Sequence, residues 1–366
     1  MSDEAQPALK EMFNPARYRQ IASLLADAQT GFDRKRFLAV ALAGLDELTL
    51  LQRVRRATEA AHATLPADYL EAVNVLKRIA PGIQHGFVGI FLPEFVGQHG
   101  HAHFHESMEA LKFFTPFSSA EFAIREFLRR DLPRTLAVMA QWSQDKNEHV
   151  RRLASEGCRP RLPWSFRLQA LVNDPAPVAP ILENLRADPS PYVRKSVANH
   201  LNDISKNHPD WMLTRLTAWD LTHPPTRWIA KRAVRTLIKA GHRRALGLFD
   251  FAATPAVKLH AFRLTPRRLR LGQAIEFSFA LTSTSRQPQP LAIDYLLYYV
   301  KASGGTAPKV FKLREIVLKP LATLGLRKSQ ILRNFSTRKH YPGRHRIEIQ
   351  INGKVRGGGF FILAQP

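Results

Sequence analysis

The chain has 366 residues and carries 54 Lys and Arg against 30 Asp and Glu, a formal net charge of +24. With 45% apolar and 23% charged residues it is neither disordered nor fibrous, and it is long enough to bury one or two full cores. A single cysteine, Cys158, excludes a disulfide framework and fits a reducing compartment, and no apolar run reaches the ~18 residues of a membrane span. Met1 is followed by acids rather than a basic segment, so no signal peptide is expected. So basic a chain calls for a polyanion, either nucleic acid or an anionic membrane surface. The charge is unevenly divided. Residues 256–366 hold 20 Lys and Arg and four acids, a net of +16, and residues 1–255 carry the other +8.

From Pro15 to about Phe251 the pattern is helical. Residues 35–56 place apolar side chains at three- and four-residue intervals and predict one helix of roughly six turns. Residues 121–130, 134–143, 147–156, 192–205 and 227–240 read the same way, separated by Pro, Gly, Asn or Asp. Within them, Val150-Arg151-Arg152-Leu153-Ala154 recurs as Val193-Arg194-Lys195-Ser196-Val197-Ala198, and more weakly as Ile229-Ala230-Lys231-Arg232-Ala233-Val234. The offsets of 43 and 36 residues suit paired helices of the HEAT type, whose stacking forms a solenoid. Arg151, Arg152, Arg194, Lys195, Lys231 and Arg232 would then recur on one face and meet DNA phosphates. The alternative is that each arginine lies along its own repeat.

After Pro255 the period changes to two. Residues 273–284, 291–301 and 344–351 alternate or are rich in β-formers, with turns at Ser303-Gly304-Gly305 and Asn352-Gly353. About seven strands over residues 256–366 fit an immunoglobulin-like sandwich, with a small barrel as the alternative. The predicted architecture is an all-α HEAT-like solenoid over 1–255 followed by a basic all-β domain over 256–366. Its densest basic stretches are 263–270, with Arg267, Arg268 and Arg270, and 338–346.

Two clusters tempt toward other chemistry. His99, His101, His103 and His105 alternate, but zinc sites usually mix in Cys or acids and nothing sets that stretch as a strand, so a solvated loop is expected. Cys158 has no histidine nearby in sequence and reads as a small packing residue rather than a nucleophile.

Phe117–Phe127 (FSSAEFAIREF), Glu148–Trp164 (EHVRRLASEGCRPRLPW) and Tyr192–Pro209 (YVRKSVANHLNDISKNHP) resemble the DNA alkylation-repair glycosylases built from HEAT-like repeats, specifically the AlkC branch. The order and spacing of the three strings fit over roughly 115–240. The resemblance implies cleavage of the N-glycosidic bond of a cationic base such as 3-methyladenine or 3-methylcytosine in double-stranded DNA. It implies an abasic product, no metal or other cofactor, and a bacterial cytoplasmic, nucleoid-associated monomer with no obligate protein partner. By the family's motif Glu121 and Asp203 belong to the catalytic site, and Trp164, which ends the second string, is read as catalytic beside them.

The chemistry suits them. An alkylated base already carries positive charge and leaves as a neutral molecule, so charge develops on the sugar, and a carboxylate near C1′ stabilises it or orients water. Glu121 follows Ser118-Ser119 and is expected in the first turn of a helix, where its alternative role is a capping acid. Asp203, near the end of the 192–205 helix, has an ion pair with Lys206 as its alternative. Trp164, after a Pro-kinked basic loop, offers an aromatic wall, with packing between repeats as the alternative. Arg159 and Arg161 are expected at flanking phosphates, and Glu156 in an ion pair with Arg152 at i, i+4. A non-catalytic HEAT-repeat binder of nucleic acid is the competing reading. A membrane-surface scaffold is the poorer one, because no basic amphipathic helix with an aromatic face is present.

Overall fold

The computed structural model describes residues 8–334 and 339–365. The acidic N-terminus and Arg338 of the second basic stretch lie outside the described residues. The chain divides into two compact units, Met1–His208 with Trp219–Ala230, and Pro209–Ala218 with Lys231–Pro366. The first is helical. The second combines short helices with a β-sandwich, so the compact body around the sandwich begins ahead of the change of period at Pro255. No helix among the described residues is long and apolar enough to cross a membrane.

The predicted six-turn helix over 35–56 is two helices, Arg34–Leu42 and Leu50–His62. The apolar spacing runs through the break, but Gly44 sits at φ 61°, a left-handed backbone that favours glycine and ends the first helix. Thr49 and Gln52 then form a capping box that starts the second.

The internal echo is a structural repeat. Helices Glu148–Gly157 and Pro191–Ile204 pack on each other, burying Val150, Leu153 and Ala154 against Val193, Val197 and Ala198. Each of the larger side chains contributes about 1.5–3 kcal/mol by burial. Asn147 caps the first helix through the N–H of His149, and Ser190 caps the second through those of Tyr192 and Val193. The recurrent arginine explains the rest of the echo. Arg151 Nη1 donates to the carbonyls of Asp145 and Lys146, six and five residues earlier, and Arg194 Nη1 to those of Asp188 and Pro189 at the same offsets. Each arginine ties down its own capping loop.

Among the described residues the sandwich has eight strands where about seven were expected: β1 (Val257–Thr265), β2 (Arg268–Leu269), β3 (Ala274–Ser283), β4 (Gln289–Val300), β5 (Thr306–Leu318), β6 (Thr323–Ile331), β7 (Gly343–Ile351) and β8 (Lys354–Leu363). One sheet has the order β1-β3-β6, the other β2-β8-β7-β4-β5. Strand β3 alternates buried and part-exposed residues, as a strand with one face on the core does. In β4 residues 291–297 are all buried. Its second face is covered within the same unit. Gln350, opposite Asp294, donates to the carbonyl of Lys239, and Asn352 Nδ2 donates to that of Ala252. The β7–β8 turn is Asn352-Gly353, with φ of 49° and 81°. A Cβ on Gly353 would stand 2.2 Å from Gly241 Cα, so that turn demands glycine for close approach as well as for φ.

Candidate active site

The three strings that carry the resemblance meet inside the helical unit, around a cavity of about 590 Å³. Glu121 comes from the turn after the first string's serines, Arg152, Glu156, Arg159 and Trp164 from the second string, and Tyr192 from the third. Phe87, Phe117 and Phe122 add aromatic wall, and Ser118 and Ser119 the polar rim. Glu121 does not occupy a helix's first turn as expected. The helix is Ile124–Arg130 with Ala123 as N-cap, so Glu121 lies in the turn ahead of it. Its partner is therefore a side chain rather than the helix's amides.

That partner is Arg152. Its Nη1 bonds to Glu121 Oε2 and to Ser119 Oγ (2.7 Å), while Ser119 Oγ also donates to Glu121 Oε2 (2.9 Å). Arg152 continues to Glu156 Oε1 (3.5 Å), which accepts from Arg159 Nη1 (2.5 Å), and Glu156 Oε2 accepts from Ser196 Oγ (2.5 Å). Arg159 then grips Asp203 Oδ2 through Nε (2.9 Å) and Nη2 (2.7 Å), and Lys206 holds Asp203 Oδ1 at 2.9 Å. Three acids and three bases thus alternate from Glu121 to Lys206, so the chain of charges is neutral. Glu156, Arg159 and Asp203 are 6%, 7% and 5% exposed, a depth at which an unpaired charge would cost several kcal/mol. Burial acts to lower the Arg159 pKa, but Glu156 and Asp203 outweigh it and hold the guanidinium charged.

Trp164 stands on the loop 157–166, 59% exposed, with φ of 65° and its ring edge-on to Phe87 at 6.2 Å. An exposed tryptophan at a left-handed backbone is no core residue. It also borders a second cavity of about 200 Å³ with Ile90, Phe122 and Glu126.

The structure thus brings Glu121 and Trp164 to one cavity. Asp203 is not in its wall; it stands behind Arg159, with both oxygens ligated. Among the expected DNA contacts, Arg159 is a correction, because its guanidinium is enclosed by carboxylates and turned away from solvent. Arg152 is engaged with Glu121 and Tyr192, whose ring lies 5.2 Å away, and Arg161 donates to Asn207 Oδ1 (2.7 Å). Arg151 is committed to Asp188 through Nε and Nη2 besides its loop carbonyls, and Arg194 lies over Trp228. Lys195 is exposed. In the second unit Lys231 pairs with Glu315 (3.5 Å) and lies over Phe251 (3.9 Å), and Arg232 is half-buried, its carbonyl accepting from Arg235.

Arg267, Arg268 and Arg270 are exposed. Arg268 and Arg344, far apart in sequence, both stand opposite Ile362 of β8, so the two basic stretches converge on one edge of the five-stranded sheet. Arg344 lies 3.9 Å from the centre of the Phe360 ring, which puts an exposed aromatic among the charges.

The cavity residues that the sequence pattern does not disclose are Tyr192, His149 and the cavity side of Glu156. Glu156 shows an i, i+4 partner in sequence, but its bonds to Arg159 and Ser196 depend on tertiary packing. The histidine run is not a loop throughout. His99 closes the helix Phe91–His99 and stacks on His62 at 3.9 Å, and burial holds its pKa down to about 4. His103 stacks on Tyr69, and His105 meets Arg134. Among the described residues no group of three or more His, Cys, Asp or Glu could hold a metal ion. Cys158 is fully buried, its thiol pushed up to about 12 by burial, and donates to the carbonyl of Ala154.

Residues 113–237 match the family described as DNA alkylation repair enzyme, and 258–365 match the C-terminal Ig-like domain of the uncharacterised protein YhaZ. The uncharacterized protein YhaZ of Bacillus subtilis (strain 168) is 44% identical over 349 residues, covering 95% of this chain and 97% of that protein. The structure of the Pseudomonas fluorescens alkylpurine DNA glycosylase AlkC, bound to DNA containing an abasic-site analogue, is similar at a TM-score of 0.95 and 51% identity, over 98% of this chain and all of that one. With the signature strings converging on one carboxylate-lined cavity and these relatives matching nearly end to end, the chain belongs to the AlkC-type alkylpurine DNA glycosylases of the HEAT-like DNA alkylation-repair superfamily.

Proposed function

We propose that this DNA glycosylase hydrolyses the N-glycosidic bond of cationic N-alkylated bases, 3-methyladenine and 3-methylcytosine among them, in double-stranded DNA, and leaves an abasic site. The observation that carries the reading is Glu121 beside Trp164 in one cavity, backed by a neutral chain of paired charges. The contacts of Glu121 with Arg152 and Ser119 fall on Oε2, which leaves Oε1 to face a sugar cation or to accept a proton from the attacking water. The leaving base needs no proton, because it departs neutral. Asp203 acts through Arg159, keeping that guanidinium and Glu156 in place. Trp164 and Tyr192 supply ring faces that attract the cationic base or sugar. Each base of that chain is matched by an acid, so the chain itself adds no net positive charge against a cationic lesion.

The exposed arginines of the sandwich, Arg267, Arg268 and Arg270 with Arg344, bind phosphates and supply affinity through counterion release. The protein acts as a monomer, without metal or organic cofactor, in the cytoplasm and on the nucleoid. Chromatography of bases released from N-methylated DNA tests the reading, with wild type beside Glu121→Gln and Asp203→Asn. Release by wild type and its loss in both variants with DNA binding retained is expected. Full activity in both overturns the site assignment, and no release by wild type leaves a non-catalytic nucleic-acid binder.

A further inference from the structure

The largest buried charge beside the cavity that the mechanism above does not use is Arg125. Its side chain is fully buried, and among the described residues it enters no ion pair and bonds only backbone carbonyls. Its terminal nitrogens donate to backbone, while Nε, also buried, has no hydrogen-bond partner among the described residues. Nη1 donates to the carbonyls of Gly157 (2.9 Å) and Arg159 (2.7 Å), Nη2 donates to that of Phe166, and the Phe166 ring lies 5.2 Å from the guanidinium. These carbonyls bracket the loop 157–166, which carries Arg159 and Trp164.

Three features make this more than the filling of space. The carbonyl of Gly157 ends the helix Glu148–Gly157, where acceptors lack intrahelical partners and the dipole favours a cation. The close approach is built in: a Cβ on Gly157 would stand 2.5 Å from Ile124 Cγ2, so only glycine lets the helix bearing Arg125 come so near. Trp164 holds a left-handed backbone, which is strained for a non-glycine residue and persists only where its surroundings over-determine it.

We infer that Arg125 is a positioning residue for the cavity: by holding the carbonyls of Gly157, Arg159 and Phe166 it sets where the Trp164 ring and the Arg159 guanidinium stand, without touching DNA. Lysine cannot replace it, because one ammonium cannot span carbonyls at both ends of the loop in the planar geometry of a guanidinium. The inference rests on the glycosylase reading for its effect on rate, but not for its effect on the loop.

The test uses the full chain with Arg125→Lys and Arg125→Ala. The fluorescence of Trp164 is isolated by subtracting the same proteins carrying Trp164→Phe. In Arg125→Lys the Trp164 emission maximum and its quenching by acrylamide shift while thermal unfolding stays cooperative. The single-turnover excision rate falls by about 100-fold with duplex affinity within about threefold, the signature of misplaced rather than missing groups. In Arg125→Ala, methylguanidinium restores part of the Trp164 signal and of the rate, and methylammonium restores neither. Wild-type fluorescence and rate in Arg125→Lys overturn the inference. So does a rate loss in Arg125→Lys that follows lowered thermal stability alone, with the Trp164 signal unmoved. If wild type releases no base, the glycosylase reading fails on its own, and the fluorescence and its rescue still decide whether Arg125 holds the loop.

Discussion

The helical unit and the sandwich handle charge in opposite ways. Around the cavity most charges are buried and paired, with Asp203 held by Arg159 and Lys206, and the exception, Arg125, is bonded to backbone carbonyls. In residues 256–366, 20 Lys and Arg face four acids, and most of the described cations lie in solvent. The sandwich also buries one acid, Asp294, 4% exposed. Among the described residues it forms no ion pair, so burial pushes its pKa up to about 6 although Lys239 and Lys312 lie near. The contrast shows that net charge and the paired charge at the cavity are separate quantities. A neutral network gives chemistry a defined geometry, whereas an unpaired basic surface gives affinity that salt erodes.

The largest expected effect comes from breaking the network at its cavity end. Glu121→Gln keeps shape but removes the charge, and excision is expected to fall on the order of 100- to 1,000-fold in single-turnover assays, with duplex binding retained. Equal loss of binding would show that the network, too, serves affinity.

The next effect tests the unpaired acid. Since the folded pKa of Asp294 is raised, its contribution to stability is full below about pH 4 and is lost as pH rises through about 6. Asp294→Asn is therefore expected to stabilise the protein at pH 7.5 by about 2–3 kcal/mol relative to wild type, with the difference vanishing near pH 4. Thermal unfolding across that range checks it, and a pH-independent difference would break the contrast with Asp203.

Arg151→Ala probes an arginine expected at DNA that is instead bonded to Asp188 and to its own capping loop. It is expected to cost about 1–3 kcal/mol of stability with little change in the salt dependence of binding. A reduced salt slope at unchanged stability would return Arg151 to the DNA interface. The smallest effect at any one salt concentration is expected from Arg267→Ala, Arg268→Ala and Arg270→Ala together. The slope of log affinity against log salt should fall by up to about 2–3, roughly 0.9 for each phosphate that is no longer neutralised. The single-turnover rate at saturating protein should change far less than in Glu121→Gln.

Much of this was legible in order along the chain. The change from a helical to a two-residue period at Pro255 separates the two kinds of structure, because periodicity records which faces are buried. The repeat at Val150 and Val193 marks two equivalent helices, and the long strings around Glu121, Glu148 and Tyr192 carry the family. Less was legible where two partners compete for one side chain. Arg151 and Arg159 look alike as basic residues in one string, yet one anchors a loop and the other joins two buried acids. Only packing decides, since a guanidinium pairs with whatever acceptors folding brings within reach.

What the sequence determined by itself is therefore the local and the periodic: helix against strand, the Asn352-Gly353 turn, the uneven charge and the family strings. Even there Gly44 divided a helix that apolar spacing ran together, because a left-handed backbone overrides side-chain pattern. The tertiary structure alone decided that Glu121 reaches Arg152, that Asp203 stands behind Arg159, and that Arg125 closes on Gly157 and Phe166. Those contacts join residues 31 to 44 positions apart, and their energies depend on burial and on short bonds that no linear pattern encodes.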